Sequence, residues 1–388
     1  MIVARLQLTD FRNYESADLE LVAGANLFVG SNGQGKTNLV EALGYFATLG
    51  SHRVSSEQAM IRQGTDVAIV RARLRHLEKE VLLEVQLNRV GANRAQLNRN
   101  QIKVRELPRH FSTVLFAPED LALVRGEPSG RRRFLDELLV LRSPRLAGVI
   151  TDYDRVLRQR NTLLKSARAA GVKGNALSTL DVWDERLISL GSEIIQARSI
   201  LVSDLQPAVY EAYIAVAGED HHTKLANRLT IFGGDPDSED NDQDLATVID
   251  FSEAKTKFRE ALDRLRRNEI DRGVTLVGPH RDDLVLGLNG MPARGYASHG
   301  ESWSFALALK LASAKVLREE SNVGDPVLIL DDVFAELDES RRGRLAEAVY
   351  GFEQVLITAA VFGDVPEKLA QHTVRIDRGT IVDPEMPA

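Results

Sequence analysis

The period of the apolar positions changes several times along this chain, and each change marks an element. Residues 1–30 read as two strands, with Leu6 and Leu8 on one face and Leu19 and Leu21 following. A further apolar, β-prone run, Ala25 to Val29, is broken only by Asn26. Asn38 to Ala47 switches to helical spacing, with Leu39, Val40, Leu43 and Phe46 on one side. Val67 to Leu74 and Val81 to Leu87 predict a β-hairpin around His76-Leu77-Glu78-Lys79. From about Asp136 the pattern turns helical. Val149, Tyr153, Val156, Arg160 and Leu163 alternate steps of 4 and 3, as do Trp183, Leu187, Leu190, Ile194, Ala197 and Leu201. Ala169 to Asn175 lies between them as a flexible tip. The spacing predicts an antiparallel helical hairpin, and an ordinary helical bundle satisfies it equally. Residues 234–244 hold no apolar side chain and predict a disordered surface loop. A helix is expected over Phe305 to Ala312, and strands over Pro326 to Leu330 and Glu353 to Ile357.

Between the apolar run at 25–29 and the helix that follows stands Gly30-Ser31-Asn32-Gly33-Gln34-Gly35-Lys36-Thr37. It fits G-x-x-x-x-G-K-[ST], the phosphate-binding loop, in the strand-loop-helix context the motif needs. A chance glycine-rich turn would meet the spacing alone. In such a loop the glycines let backbone N–H groups curl around the phosphates at a helix N-terminus. Lys36 would reach the β- and γ-phosphates, and the Thr37 hydroxyl would sit on Mg²⁺. Asp331 and Asp332 end the second apolar run, which has no alternation and so reads as a strand buried on both faces. Ligands of open α/β sheets bind at such C-terminal strand ends. Asp331 is placed to hold Mg²⁺ through water, and Asp332 to polarise an attacking water. A strand-terminal turn also favours Asp.

Composition narrows the class. There is no cysteine among the 388 residues, so neither a disulfide framework nor a thiolate metal site exists. No apolar run reaches the roughly twenty residues that span a bilayer. The N-terminal residues alternate at once and lack a signal-peptide core. The expectation is a cytoplasmic protein with no membrane segment. A net charge of −7 argues against nucleic-acid binding over the whole surface, yet basic residues segregate. Arg99 to Arg133 holds eight basic residues against four acids, and Arg155 to Lys173 holds six against none. Such segregation suits a polyanion partner on one face, with Arg131, Arg132 and Arg133 as candidate contacts. A solvated helix face would produce the same pattern.

A third motif precedes the helix at 305–312. Ser298-His299-Gly300-Glu301 can cap a helix and bind an anion there, although S-x-G before a helix is a common cap. The order is a phosphate loop, a long insertion, S-x-G-E, an apolar strand ending in Asp-Asp, and Leu337-Asp338. That layout resembles ABC-type ATPases. Finer blocks resemble the RecF family of bacterial recombination-repair proteins. They are Phe11-Arg12-Asn13-Tyr14, Gly50-Ser51-His52-Arg53, Phe116-Ala117-Pro118-Glu119-Asp120-Leu121, Arg131-Arg132-Arg133-Phe134-Leu135-Asp136, Gly278-Pro279-His280-Arg281-Asp282-Asp283 and Leu330 through Asp338. They run in family order from residue 2 to about 360.

The resemblance implies an α/β fold, an ABC-type lobe like the heads of SMC proteins, with an inserted, mostly helical second lobe. The expected ATPase lobe is 1–108 with 276–388, and the expected helical lobe, with its short antiparallel hairpin, is 109–275. It also implies ATP and Mg²⁺ as cofactors, slow hydrolysis, an ATP-dependent homodimer, and double-stranded and gapped DNA with RecR and RecO family proteins as partners. Carried over residue by residue, Lys36, Thr37 and Asp331 hold phosphate and metal, and Asp332 takes the place of the catalytic acid. Ser298 and Gly300 become the signature loop that reaches the partner subunit's nucleotide, and Asp338 joins the dimer-facing D-loop. Asn13, His52 and Arg53 are further candidates for the nucleotide's surroundings. Glu301 stands where Gln is more usual, Thr358-Ala359-Ala360 lacks a switch histidine, and no Q-loop glutamine is identifiable. An ABC transporter subunit would need that histidine and a shorter insertion. A structural SMC subunit would need a far longer heptad arm.

Overall fold

The computed structural model describes residues 1–54, 56–171, 178–219, 221–233, 248–321 and 324–382. The loop expected at 234–244 and most of the tip at 169–175 lie outside them. The chain divides into two compact units. Unit 1 is the described part of Met1–Leu121, Glu211–Asp220 and Ser298–Ala388, and unit 2 that of Ala122–Tyr210 and His221–Ala297.

Unit 1 is α/β and contains two six-stranded sheets. In the first, Ile2–Phe11 pairs antiparallel with Tyr14–Glu20 and with Val67–His76. The expected hairpin follows, Val67–His76 with Lys79–Asn88, its tight turn carried by Leu77 at φ 52°. Leu6 lies opposite Leu19 and Leu8 is buried, as period-2 alternation requires. In the second sheet Gly24–Val29, Thr113–Phe116, Val327–Asp331, Gln354–Ala359 and His372–Asp377 run parallel, and Thr380–Val382 closes the edge antiparallel. Every residue of Val327–Asp331 is buried, so its unbroken apolar run is the signature of a central parallel strand. The helix Lys36–Thr48 follows the strand Gly24–Val29 and buries Leu39, Val40, Leu43 and Phe46. The helix His299–Glu320 is buried on most of its faces, with Phe305, Leu307, Leu309 and Ala312 in the core.

Unit 2 holds a bundle of three long helices, Leu146–Ala169, Ser178–Ala217 and Phe251–Arg272; residues 211–217 of the second are assigned to unit 1. Leu146–Ala169 and Ser178–Ala217 run antiparallel. A Cβ on Gly191 would meet Tyr153, Arg160 donates to Asp184, and Leu164 shares a cluster with Leu180. The expected hairpin is therefore present, but it is no free arm. Phe258 also abuts Gly191 and Ile270 joins Leu164, so Phe251–Arg272 completes the bundle along most of its length. Unit 2 also holds a small sheet, with Asp283–Leu288 between Thr223–Arg228 and Met291–Pro292.

The boundaries expected at 108 and 276 are corrected by strand pairing. Thr113–Phe116 is bonded to Val327–Asp331, which carries residues up to 121 into unit 1. Asp283–Leu288 is bonded to Thr223–Arg228, which keeps residues up to 297 in unit 2.

Candidate nucleotide site

The loop Gly30–Thr37 joins the strand Gly24–Val29 to the helix Lys36–Thr48. Its conformation excludes a side chain at two glycines. Gly35 has φ 117°, and a Cβ there would sit 2.8 Å from the Asn13 amide. A Cβ on Gly30 would sit 2.3 Å from the Ile376 carbonyl oxygen. Neighbours pin the loop from outside. The Asn13 amide donates to the Gln34 carbonyl at 2.9 Å, and the Gly379 N–H donates to the same oxygen at 2.9 Å. The Gln34 side chain accepts from the Arg378 N–H. The Asn38 amide donates to Asn13 at 2.7 Å, and Arg53 donates to Asn38 at 3.1 Å. On the helix the buried Glu41 carboxylate accepts from Nε and one terminal nitrogen of Arg12 and from the Ser51 hydroxyl. The Phe11-Arg12-Asn13-Tyr14 and Gly50-Ser51-His52-Arg53 blocks thus act as supports of the loop. Sequence spacing had not indicated Glu41, a lone acid on a helix.

Inside the loop, the Lys36 ammonium is buried and donates to the Gly30 carbonyl at 2.7 Å and the Ser31 carbonyl at 3.3 Å. The Thr37 hydroxyl donates to Asp331 Oδ1 at 2.9 Å, across 294 residues of sequence. Asp331 Oδ1 also accepts from the Thr358 hydroxyl at 2.6 Å, and Thr358 lies opposite Asp331 in the parallel register. Thr358 stands where an ABC transporter ATPase would carry its switch histidine, and the register makes it the support of Asp331. His52 Nε2 stands 3.7 Å from Asp331 Oδ2, buried and without a hydrogen-bond partner among the described residues. Asp332 takes the left-handed conformation, φ 52°, with its N–H on the Thr358 hydroxyl at 2.9 Å. Strained positions of this kind cluster at functional sites. Its Oδ1 is buried with no hydrogen-bond partner among the described residues, and burial holds the carboxyl above its ordinary range, with Lys36 opposing.

The donors fit a hard cation. Thr37 and Asp331 present two oxygens at one point at the mouth of a phosphate loop, the donor type that suits Mg²⁺.

Ser298, Gly300 and Asp338 form a second group in unit 1. Ser298 caps the helix His299–Glu320 in a capping box. Its hydroxyl accepts the Glu301 N–H at 3.3 Å, and the Glu301 carboxylate accepts the Ser298 N–H at 2.7 Å. Glu and Gln both serve at the third position of such a box, which explains how Glu301 replaces the more usual Gln. Asp338 caps the helix Glu339–Tyr350, accepting the Arg341 N–H at 2.9 Å. Its carboxylate is 3.2 Å from the Arg341 guanidinium, which also lies so close to Gly300 that a Cβ there would approach it to 2.5 Å.

The three arginines proposed for DNA separate in unit 2. Arg131 is 4% exposed and holds both oxygens of Asp283 at 2.8 Å. A third nitrogen donates to the Gly126 carbonyl at 2.9 Å. A guanidinium so engaged has no face for a phosphate, and Arg131 is withdrawn as a contact. Arg132 is half-buried and donates to the Asp282 carbonyl at 2.8 Å. Arg133 is exposed and paired with Glu137 one turn along at 2.7 Å.

Comparison with known proteins agrees with this geometry. The family description "RecF/RecN/SMC N terminal domain" matches residues 2–376. The DNA replication and repair protein RecF of Clavibacter sepedonicus is 63% identical over 100% of this chain and 96% of its own length. That of Leifsonia xyli subsp. xyli is 63% identical over 99% and 100%. Among solved structures, the recombination mediator protein RecF-ATPrS in the RecFOR pathway superposes with TM-score 0.86 at 27% identity, covering 98% of this chain and 97% of the other. The corresponding RecF-ATP structure gives 0.83 at 28%, covering 98% of each chain. An Smc head bound to the C-winged helix domain of ScpA, at 14% identity and TM-score 0.54, shares the fold alone. With the parallel sheet, phosphate loop and Asp-Asp strand of an ABC-type ATPase, and with relatives that match end to end, this chain belongs to the RecF family of DNA replication and repair proteins.

Proposed function

We propose that the chain is an ATP-gated DNA-binding protein of recombinational repair, cytoplasmic, in which nucleotide closes two copies into a homodimer and slow hydrolysis reopens it. The observation that carries the reading is the meeting of Thr37 and Asp331 at 2.9 Å beside the buried Lys36 ammonium. Nothing in a merely structural loop requires a hydroxyl, a carboxylate and an ammonium to converge from such distant parts of the chain. The names of the full-length relatives and the ATP in a solved relative point the same way.

In this reading the backbone N–H groups of Gly30 to Gly35, with Ser31, Asn32 and Gln34, cradle the phosphates. Lys36 neutralises charge on the β- and γ-phosphates. Thr37 and Asp331 hold magnesium, which supplies charge neutralisation at the phosphate oxygens. The unpartnered Asp332 Oδ1 accepts a hydrogen bond from the attacking water and orients it. Ser298 and Gly300 reach the nucleotide of the partner subunit, and Asp338 lies at the dimer contact. Double-stranded and gapped DNA, with RecR and RecO family proteins, are the partners.

Lys36→Ala tests the site. A charge-assisted hydrogen bond contributes roughly 1.5–3 kcal/mol, so ATP affinity in calorimetry is expected to fall about tenfold or more. Unchanged affinity would remove the site assignment.

A further inference from the structure

Unit 2 carries a cavity of about 1060 Å³ beside the strand Asp283–Leu288. Among the described residues, five arginines line it, Arg131, Arg132, Arg228, Arg281 and Arg294, against two carboxylates, Glu127 and Asp283. The carboxylates are engaged. Asp283 holds Arg131, and Glu127 accepts from Arg294 at 2.8 Å. His280, also in the wall, adds no charge, because burial pushes its imidazolium pKa down to about 3. Arg281 Nε is buried with no hydrogen-bond partner among the described residues. Burial above all, then Arg198 and, more weakly, Arg281, hold Arg132 below its ordinary range despite the opposing acids. Like charges crowded in this way are a cost that a bound anion relieves. The rest of the wall differs in kind. Val285 and Pro292 present apolar surface, and Tyr296, 68% exposed, adds an aromatic ring.

We propose that this cavity binds one or two nucleotides of a single nucleic-acid strand, with a phosphate on Arg281 and Arg132 and a base against Tyr296. Cationic side chains beside an aromatic platform are the combination that holds single strands without reading sequence. A cavity of this size encloses a nucleotide or two, not a duplex. An acidic peptide would match the arginines but leave the apolar wall and Tyr296 unused. The inference rests on the DNA-binding reading above, keeps Arg132 of the three candidate arginines and replaces Arg131 with Arg281 and Tyr296.

The test is an anisotropy titration of the full chain with a short labelled oligothymidylate. Parallel titrations use a duplex, thymidine monophosphate and polyglutamate. Arg281→Glu is expected to weaken oligothymidylate binding about tenfold or more and to lower the salt slope by about one. Arg281→Lys should recover part of that loss. Tyr296→Ala, a substitution at an exposed position, should weaken binding at least about fivefold, with ATP affinity unchanged in every variant. If the wild type binds DNA and both Arg281→Glu and Tyr296→Ala bind the oligonucleotide equally well, the assignment fails while the DNA-binding reading stands. Monophosphate binding as tight as the oligonucleotide's would make this a mononucleotide site instead. Arg281-dependent capture of polyglutamate in place of the oligonucleotide would assign the cavity to an acidic peptide. A wild type that binds no DNA would remove both readings.

Discussion

The buried charges of the nucleotide site in unit 1 and of the helical bundle in unit 2 sit at different places on their elements. In unit 1 Lys36 opens a helix and Asp331 ends a strand, each at a point where backbone turns and a ligand can approach. In unit 2 Arg160 sits in mid-helix, wholly buried, with Asp184 at 2.6 Å, Glu269 at 2.7 Å and Thr275 at 2.8 Å on its three nitrogens. Among the described residues the first arrangement leaves Asp332 Oδ1 and His52 Nε2 without hydrogen-bond partners, whereas the second engages every guanidinium nitrogen. The comparison separates a charge held ready for a ligand from one used to fix the register of three helices. Buried ionic triads of this kind add little net stability yet are costly to break.

The largest effect should come from breaking the second arrangement. Arg160→Ala leaves two carboxylates in a dry bundle, which costs roughly 3–5 kcal/mol. Chemical unfolding should show that loss, with ATP affinity in the folded variant intact. Burial already raises both acids against the pull of Arg160, and removing that charge raises them further, although Arg266 still lies 3.4 Å from Asp184. The destabilisation should therefore shrink as pH falls and the carboxyls become neutral. A loss under 1 kcal/mol would mean that water reaches the triad.

Next in size is Asp332→Asn in unit 1. It preserves shape but removes the charge proposed above to orient water, so on that reading single-turnover hydrolysis should slow roughly a hundredfold, while ATP binding and fold stability hold. A wild-type rate would send the search for the catalytic group to another residue.

Asp282 sharpens the comparison by its pH dependence. Burial raises this carboxyl to about 6, against the hydrogen bonds it accepts from Thr230. The folded chain then holds the proton more tightly than the unfolded chain. The resulting stabilisation is full below pH 4 and is lost as pH rises through 6. The difference in unfolding free energy between wild type and Asp282→Asn should shift by roughly 2 kcal/mol across that window. A flat difference would show that Asp282 stays ionised, held by the arginines around it.

The same contrast governs what the sequence made legible. The phosphate-loop and Asp-Asp patterns are local, and the loop, its helix and the buried strand lie where spacing and periodicity put them. Availability of an arginine is not local. Arg131, Arg132 and Arg133 are indistinguishable as a triplet, yet Arg131 shares a helical stripe with Phe134, Leu135 and Leu138, all buried. That i, i+3, i+4, i+7 pattern marks Arg131 as inward-facing and was the signal to weigh against charge count. Arg160 carried a similar signal at a core position of its own seam. Thr358 and Glu41 carried none, because their roles depend on strand register and on a partner from a distant loop. Domain boundaries failed for the same reason, since strand pairings across the chain decide them.

The smallest expected effect tests whether Ser298 belongs with the ready charges or with the structural ones. As a cap, its hydroxyl accepts one N–H at a long 3.3 Å, while Glu301 supplies the shorter bond of the box. Ser298→Ala should therefore cost about 1 kcal/mol of stability or less. If capping is the whole role, ATP-dependent dimerisation in sedimentation should be unchanged in Ser298→Ala and also in Ser298→Arg. The signature-loop reading expects something else. Ser298→Ala removes a hydroxyl from the partner's nucleotide, and Ser298→Arg fills the closed interface, so ATP-induced dimer should weaken in the first and vanish in the second. Monomeric ATP binding should persist in both, since Lys36 and Thr37 are untouched. Only a group with differential affinity for the dimer can shift that equilibrium. A dimerisation loss larger than the stability loss would thus identify Ser298 as a nucleotide contact, and equal, small losses would leave it a helix cap.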